Sequence, residues 1–222
     1  MGKAVLFDMD GILYDSELQY ARITEQVMRN LGYKGPSEAL FDVIGTTSER
    51  TWQILYDLLD GEKTGHEIEA AWKEYARTHP IDYRAIMFED IPDALKTLRE
   101  NGYRMACCSS SSVQVIADSL SAMGIRDYFD CVISADEIEN PKPAPDIYLL
   151  AAKRLGVKPE DCVVYEDSRI GIEAGRRAGM KVIARKETRF RQNQSGCHLL
   201  VNNAAEMCRA VCQGEDAIRW KR

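Results

Sequence analysis

Two aspartates, Asp8 and Asp10, stand two residues apart directly behind a short apolar run, Ala4-Val5-Leu6-Phe7, and are followed by Gly11. The run reads as a buried strand. On an extended backbone alternate side chains share a face. A chain that curls just past a strand end brings one carboxylate and a neighbouring carbonyl to one point. Hard oxygen ligands gathered in this way suit Mg²⁺, which takes one or two protein carboxylates and keeps positions for a phosphate oxygen. The carboxyl ends of strands are also where open α/β sheets bind their ligands. A calcium loop of the EF-hand type is the competing chemistry. It needs a glutamate at its twelfth position, which counted from Asp8 is Gln19, and a helix rather than a strand before it.

Three further clusters share this form, an apolar run ending in polar residues. Met105-Ala106-Cys107-Cys108 leads into Ser109, Ser110, Ser111 and Ser112 ahead of a helical segment. Hydroxyls and free N–H groups at a helix start make an anion site, and four serines exceed the single N-cap that is the plainer explanation. Lys142 stands between Pro141 and Pro143, so its backbone has little freedom, and Pro145 suits the opening of the next helix. An ammonium fixed there, rather than a solvated surface lysine, offsets repulsion between a carboxylate and a phosphate. Finally, Val163-Val164-Tyr165 ends in Glu166 and Asp167 before Ser168. Asp167 or Ser168 would serve as a simple helix cap. Two adjacent acids are more than a cap needs and suit the remaining Mg²⁺ ligands: Asp167 directly, Glu166 either directly or by holding a water on the metal.

The elements that position these residues follow a regular rhythm. Strand-like runs lie at 4–7, 103–108, 131–134, 162–165, 181–184 and 199–201, with helical segments at 91–101, 112–123, 145–155, 168–178 and 203–212. Strands alternating with helices imply βαβ units and an α/β fold with a doubly wound parallel sheet. Gly102, Gly124, Gly156 and Gly179 each follow a helical run, as C-terminal glycines do. Residues 16–88 break the rhythm. They are helical throughout, with Ile23, Val27 and Leu31 at helical spacing and two further helices over 51–59 and 66–78. The expected organisation is a core of residues 1–15 and 89–222 with a helical block of residues 16–88 inserted after the first strand. Inserted there, it is placed to cover the site and exclude water.

Composition excludes several classes. The 222 residues are 45% hydrophobic and 29% charged, ordinary for a globular protein, and the net charge of −6 does not favour a nucleic-acid partner. No apolar stretch approaches the length of a membrane span. Met1-Gly2-Lys3 leads straight into the first strand and leaves no room for a signal peptide. The seven cysteines are odd in number and form no CxxC pair, so they read as small core residues in a reducing cytoplasm. A monomer without membrane or nucleic-acid partners is expected.

The four clusters, in this order and at strand ends, resemble the four motifs of the haloacid dehalogenase-like superfamily, and the resemblance spans essentially the whole chain. It is nearest to the subgroup of β-phosphoglucomutase and small sugar-phosphate phosphatases. The resemblance implies a Rossmann-like core with a helical cap. Asp8 is then the nucleophile that forms an aspartyl-phosphate, and Asp10 the general acid and then base. Ser109 supplies a hydroxyl and Ser110 a backbone N–H to the phosphate, together with Lys142. Mg²⁺ is held by Asp8, Asp10, Asp167 and Glu166. The family's dehalogenases lack the second aspartate, so Asp10 points to phosphoryl chemistry. Phosphonate hydrolysis uses a cap lysine, and Lys34, Lys63 and Lys73 have no apolar context to activate them.

A small phosphorylated metabolite, a sugar or polyol phosphate, is therefore the expected substrate. Tyr20, Thr46, Thr47, Arg50 and Lys73 are the cap residues expected to face it, while Trp52 and Trp72 read as cap packing. The alternative is a phosphosugar mutase of the β-phosphoglucomutase type. Mutases carry a histidine ten residues after the second aspartate, where this chain has Tyr20, and a basic pair around the cap's glycine loop. Here that loop is Gly45-Thr46-Thr47-Ser48-Glu49, with Arg50 one position late. Hydrolysis is favoured. A phosphate-accepting receiver domain would lack the insertion, and an inactive scaffold would lack Asp8, Asp10 or Lys142.

Overall fold

The structure, a computed structural model, describes residues 3–43, 48–189 and 193–213. It divides into two compact units, Met1–Asp15 with Tyr83–Arg222, and Ser16–Asp82. In chain order the elements are β1 (Ala4–Phe7), α1 (Ser16–Asn30), α2 (Ser48–Leu58), α3 (Gly65–Thr78), α4 (Tyr83–Ile86), α5 (Ile91–Glu100), β2 (Arg104–Ser109), α6 (Val113–Ala122), β3 (Cys131–Ser134), α7 (Asp146–Leu155), β4 (Cys162–Glu166), α8 (Arg169–Arg177), β5 (Lys181–Arg185), β6 (Leu199–Val201) and α9 (Ala204–Cys212).

The first unit is a doubly wound α/β domain. Its six strands are all parallel, in the order β3-β2-β1-β4-β5-β6. The order reverses at β1, which makes the carboxyl end of β1 the crevice where such sheets bind ligands. Successive strand residues point to opposite faces. Val5, Phe7, Met105, Cys107, Tyr165 and Ile183 pack with Leu95, Leu98, Ile116, Leu120 and Met207 from α5, α6 and α9. Ala4, Leu6, Ala106, Cys108, Val164 and Val182 pack with Ile147, Ala151, Ile172 and Ala174 from α7 and α8. Both faces are covered, which is why the strands are unbroken apolar runs rather than alternating ones.

Three strands run one residue further than their apolar stretches, to Ser109, Glu166 and Arg185. The ladder pairs Ser109 with Ser134 and Glu166 with Ala184, since backbone pairing continues past the point where the side chain turns polar. The stretch after Asp82 also belongs with the sheet. Tyr83 packs edge-on against Tyr14 with ring centroids 5.2 Å apart. Asp15 N donates to Ile86 O at 2.9 Å, and Phe88 N to Leu13 O at 3.1 Å. A helical reading of the sequence alone places residues 83–88 in the inserted block, because their partners, Leu13 to Asp15, are remote in sequence.

The second unit is helical. α3 packs on α1 and α2 around Met28, Tyr33, Leu40, Leu55, Leu59 and Ile68, with Trp52 partly buried at the edge. A reciprocal capping box between Thr64 and Glu67 starts α3. Trp72 donates to Thr24 Oγ1 at 3.1 Å, and its ring lies 6.0 Å from that of Tyr20. Among the described residues no helix is long and apolar enough to cross a membrane. All seven cysteines are free thiols.

Candidate active site

The polar residues of the site leave the sheet at the carboxyl ends of β1, β2 and β4. Phe7 is in register with Cys107 on one side and Tyr165 on the other, so Asp8 emerges between Cys108 and Glu166. Lys142, from the loop between β3 and α7, reaches all three. Its Nζ donates to Asp8 Oδ1 at 2.5 Å, Glu166 Oε1 at 2.8 Å and Cys108 O at 3.4 Å. It also lies 5.0 Å from the centre of the Tyr148 ring.

One ammonium thus faces two buried carboxylates, and they share it unequally. Glu166, fully buried, receives four further donors: the Tyr148 hydroxyl at 3.0 Å, the amides of Asp167 and Ser168 at 2.8 and 2.9 Å, and Ser168 Oγ at 3.0 Å. Burial opposes its charge, but Lys142 and these hydrogen bonds hold its carboxyl below the usual range. Asp8 is left with too little neutralisation. Burial pushes it up to about 8 against the pull of Lys142, and the charges of Glu166 and Asp10 push the same way. Lys142 itself is raised well above its ordinary value: burial works against its charge, and Asp8 and Glu166 outweigh burial.

The donor set fits a divalent cation. Carboxylate oxygens of Asp8, Glu166 and Asp167 lie within 4.8 Å of one another, and the excess negative charge at Asp8 is what a bound cation relieves. Hard oxygen donors of this kind suit Mg²⁺. Glu166 already spends both oxygens on donors, so its arrangement favours holding Lys142 and the Asp167 peptide over contacting an ion. Asp10 lies outside that carboxylate group, and its Oδ1 accepts from Tyr14 Oη at 2.9 Å.

Two glycines make room for these carboxylates. A Cβ on Gly11, whose φ is +72°, would lie 2.3 Å from Asp167 Oδ2; one on Gly171 would lie 1.5 Å from Glu166 Oε1. Gly171 also donates to Ser168 Oγ at 3.1 Å, closing the N-cap of α8. Gly171→Ala is therefore expected to cost about 3 kcal/mol in urea unfolding, at the upper end of overpacking costs. An unchanged midpoint would mean that Glu166 does not pass beneath α8.

The serine cluster is not a simple cap. Ser112 occupies the N-cap position of α6, but its side chain makes no cap bond, and Val113 N donates to Asp136 Oδ2 at 3.1 Å. Ser109 is buried and its Oγ accepts from Ser111 N at 3.1 Å, while Ser110 is exposed. In the helical unit, Lys73 is exposed in an i,i+4 pair with Glu69 at 2.7 Å, Arg50 is exposed and Tyr20 packs on Trp72. Thr46 and Thr47 lie outside the described residues. The structure adds three residues that carried no assignment in the sequence: Tyr148, Tyr14 and Gln194. Tyr14 lies three residues past Gly11 and Tyr148 three past Pro145. Gln194 sits in a polar segment with no pattern to mark it.

Residues 5–185 match the family model of the haloacid dehalogenase-like hydrolases. The chain belongs to that family. Fructose-1-phosphate phosphatase YqaB of Escherichia coli is 34% identical over 182 residues, covering 81% of this chain and 94% of that protein. A phosphorylated carbohydrates phosphatase of Thermotoga maritima is 28% identical over 189 residues, covering 82% and 83%. The solved β-phosphoglucomutase of Clostridium difficile shares the fold, with a TM-score of 0.68 at 21% identity over 93% of each chain. This member of the family is a phosphoric monoester hydrolase with the fold of the β-phosphoglucomutase subgroup.

Proposed function

We propose that the chain is a Mg²⁺-dependent phosphatase that hydrolyses a small sugar or polyol phosphate through an aspartyl-phosphate on Asp8. The observation that carries this reading is the convergence of Asp8, Lys142, Glu166 and Asp167 at the point where the strand order reverses. The substrate class rests on the relatives, whose names specify fructose 1-phosphate and phosphorylated carbohydrates.

In the first step an Asp8 carboxylate oxygen attacks phosphorus and the bond to the leaving oxygen breaks, with Asp10 giving its proton to that oxygen. In the second, Asp10 takes a proton from water, the water oxygen attacks phosphorus, and the Asp8–phosphorus bond breaks to release phosphate. Tyr14 holds Asp10 by its hydroxyl. Lys142 draws charge from the Asp8 oxygen, and Glu166 keeps Lys142 charged and in place. Ser109 and Ser110 hold the non-bridging oxygens. Mg²⁺ would be held by Asp8 and Asp167, with Asp10 and Glu166 in support, and would supply further neutralisation of charge on the phosphoryl group. In this reading the inserted helical unit has the role of a cap, and Tyr20, Thr46, Thr47, Arg50 and Lys73 are its candidates for selecting the leaving group. The partner in this reading is a phosphorylated metabolite.

The test is steady-state phosphate release over a panel of sugar, polyol and organic-acid phosphates, with Mg²⁺ and with EDTA. Release from sugar or polyol phosphates that EDTA stops and Mg²⁺ restores is the expected result. Conversion of β-glucose 1-phosphate to glucose 6-phosphate after priming with the bisphosphate, without net phosphate release, would replace the phosphatase by the mutase.

A further inference from the structure

β4 and β5 last pair at Glu166 and Ala184. One residue on, the two chains separate as one of them turns into α8, and each presents a carbonyl, Asp167 O and Arg185 O. The side-chain amide of Gln194 lies between them. Its Nε2 donates to Asp167 O and to Arg185 O, both at 2.6 Å, and its Oε1 accepts from Glu187 N at 3.2 Å. On the other side of Asp167, its amide donates to Glu166 Oε2 at 2.8 Å. The Asp167 carboxylate lies close enough to Gly11 that a Cβ there would collide with it.

We infer that Gln194 is a positioning residue for the Mg²⁺ site: its amide continues the β4–β5 ladder by one rung and so fixes the peptide that carries Asp167. The inference rests on Asp167 acting as a ligand. Asp167 is nearly buried, so losing this donor weakens the hold on the peptide that carries its carbonyl and gives the carboxylate room to move. Groups that orient a metal ligand in this manner change metal affinity by about ten- to a hundredfold when removed. Nothing in the arrangement makes Gln194 a catalytic residue, so its effect belongs on metal affinity rather than on turnover.

The experiment compares wild type, Gln194→Met and Gln194→Ala. Met keeps the length of the side chain without a donor; Ala removes both. Two curves are measured: the rise of the unfolding temperature with magnesium chloride alone, and the Mg²⁺ concentration giving half-maximal phosphate release. Both variants are expected to need about tenfold more Mg²⁺ in both curves, with kcat at saturating Mg²⁺ close to wild type and the unfolding temperature in EDTA lowered by the lost hydrogen bonds. Variants that respond to Mg²⁺ as wild type does overturn the inference. So does a loss of stability in EDTA and of kcat with an unchanged Mg²⁺ requirement, which marks a purely structural residue. If wild type itself responds to Mg²⁺ in neither curve, the Mg²⁺ reading fails and the inference with it, an outcome separate from the other two.

Discussion

Asp8→Asn is expected to lose about 10⁴-fold or more of its phosphatase turnover, the scale on which removal of a nucleophile acts, and to be no less stable than wild type. Asparagine has nearly the shape of aspartate, and Lys142 keeps Glu166 and Cys108 O as partners. The charge that is removed is an unfavourable one. Asp8 titrates at about 8 in the fold against an ordinary 3.8, so between those values the folded state binds the extra proton. Stability from this group is then lost as pH rises through that window. Urea midpoints in EDTA should therefore fall between pH 5 and pH 8 more steeply for wild type than for Asp8→Asn, contributions from other groups being common to both. A variant that retains more than about a hundredth of wild-type turnover sinks the nucleophile, since a lost nucleophile costs far more. A variant less stable than wild type at pH 8 sinks the charge argument.

Lys142→Met has the opposite signature, losing stability and activity together. Methionine fills the volume of the lysine stem, but Asp8 and Glu166 then face each other in the interior without a cation. Removing one partner of a buried ion pair costs about 3–5 kcal/mol, and loss of a charge aimed at the transferring group costs about 10²–10³-fold in turnover. Mg²⁺ should recover part of the lost stability, because a second cation enters the same deficit. Urea unfolding with and without Mg²⁺, beside phosphate release, gives both numbers. A Lys142→Met protein as stable as wild type at pH 8 would mean that Asp8 takes a proton as soon as the ammonium is gone, and that the pair adds nothing to the fold.

How much of this is legible in the sequence depends on how local each cause is. The parallel sheet is legible because burial on both faces makes each strand an apolar run, and glycines mark the helix ends between them. Asp8, Ser109, Lys142, Glu166 and Asp167 are legible as a set because each directly follows or ends such a run, or sits between prolines. The division of labour between Glu166 and Asp8 is not legible. It depends on Tyr148 reaching Glu166 from a helix that begins at Asp146, a contact no spacing within the Val163–Asp167 stretch announces. Gln194 is hidden for the same reason, since its partners are backbone carbonyls, which look alike in every sequence. Which residues of the helical unit would select a substrate is not legible either. Polar positions on exposed helices have several equivalent uses, and Lys73 spends its charge on Glu69 one turn away.

The central place of β1 bears on how the chain comes to be folded. β1 is made before both of its neighbours, which lie about 100 and 160 residues downstream, and closing loops of that length is entropically costly. While the chain is being synthesised, Ala4–Phe7 is a strand with nothing to pair with, apolar on both faces, for on the order of ten seconds or more. Such a segment is a nucleus for aggregation unless charges bracket it. Lys3 stands on one side and Asp8 and Asp10 on the other. The carboxylates that end the strand at the site also guard it, long before there is a site, in the unfinished chain.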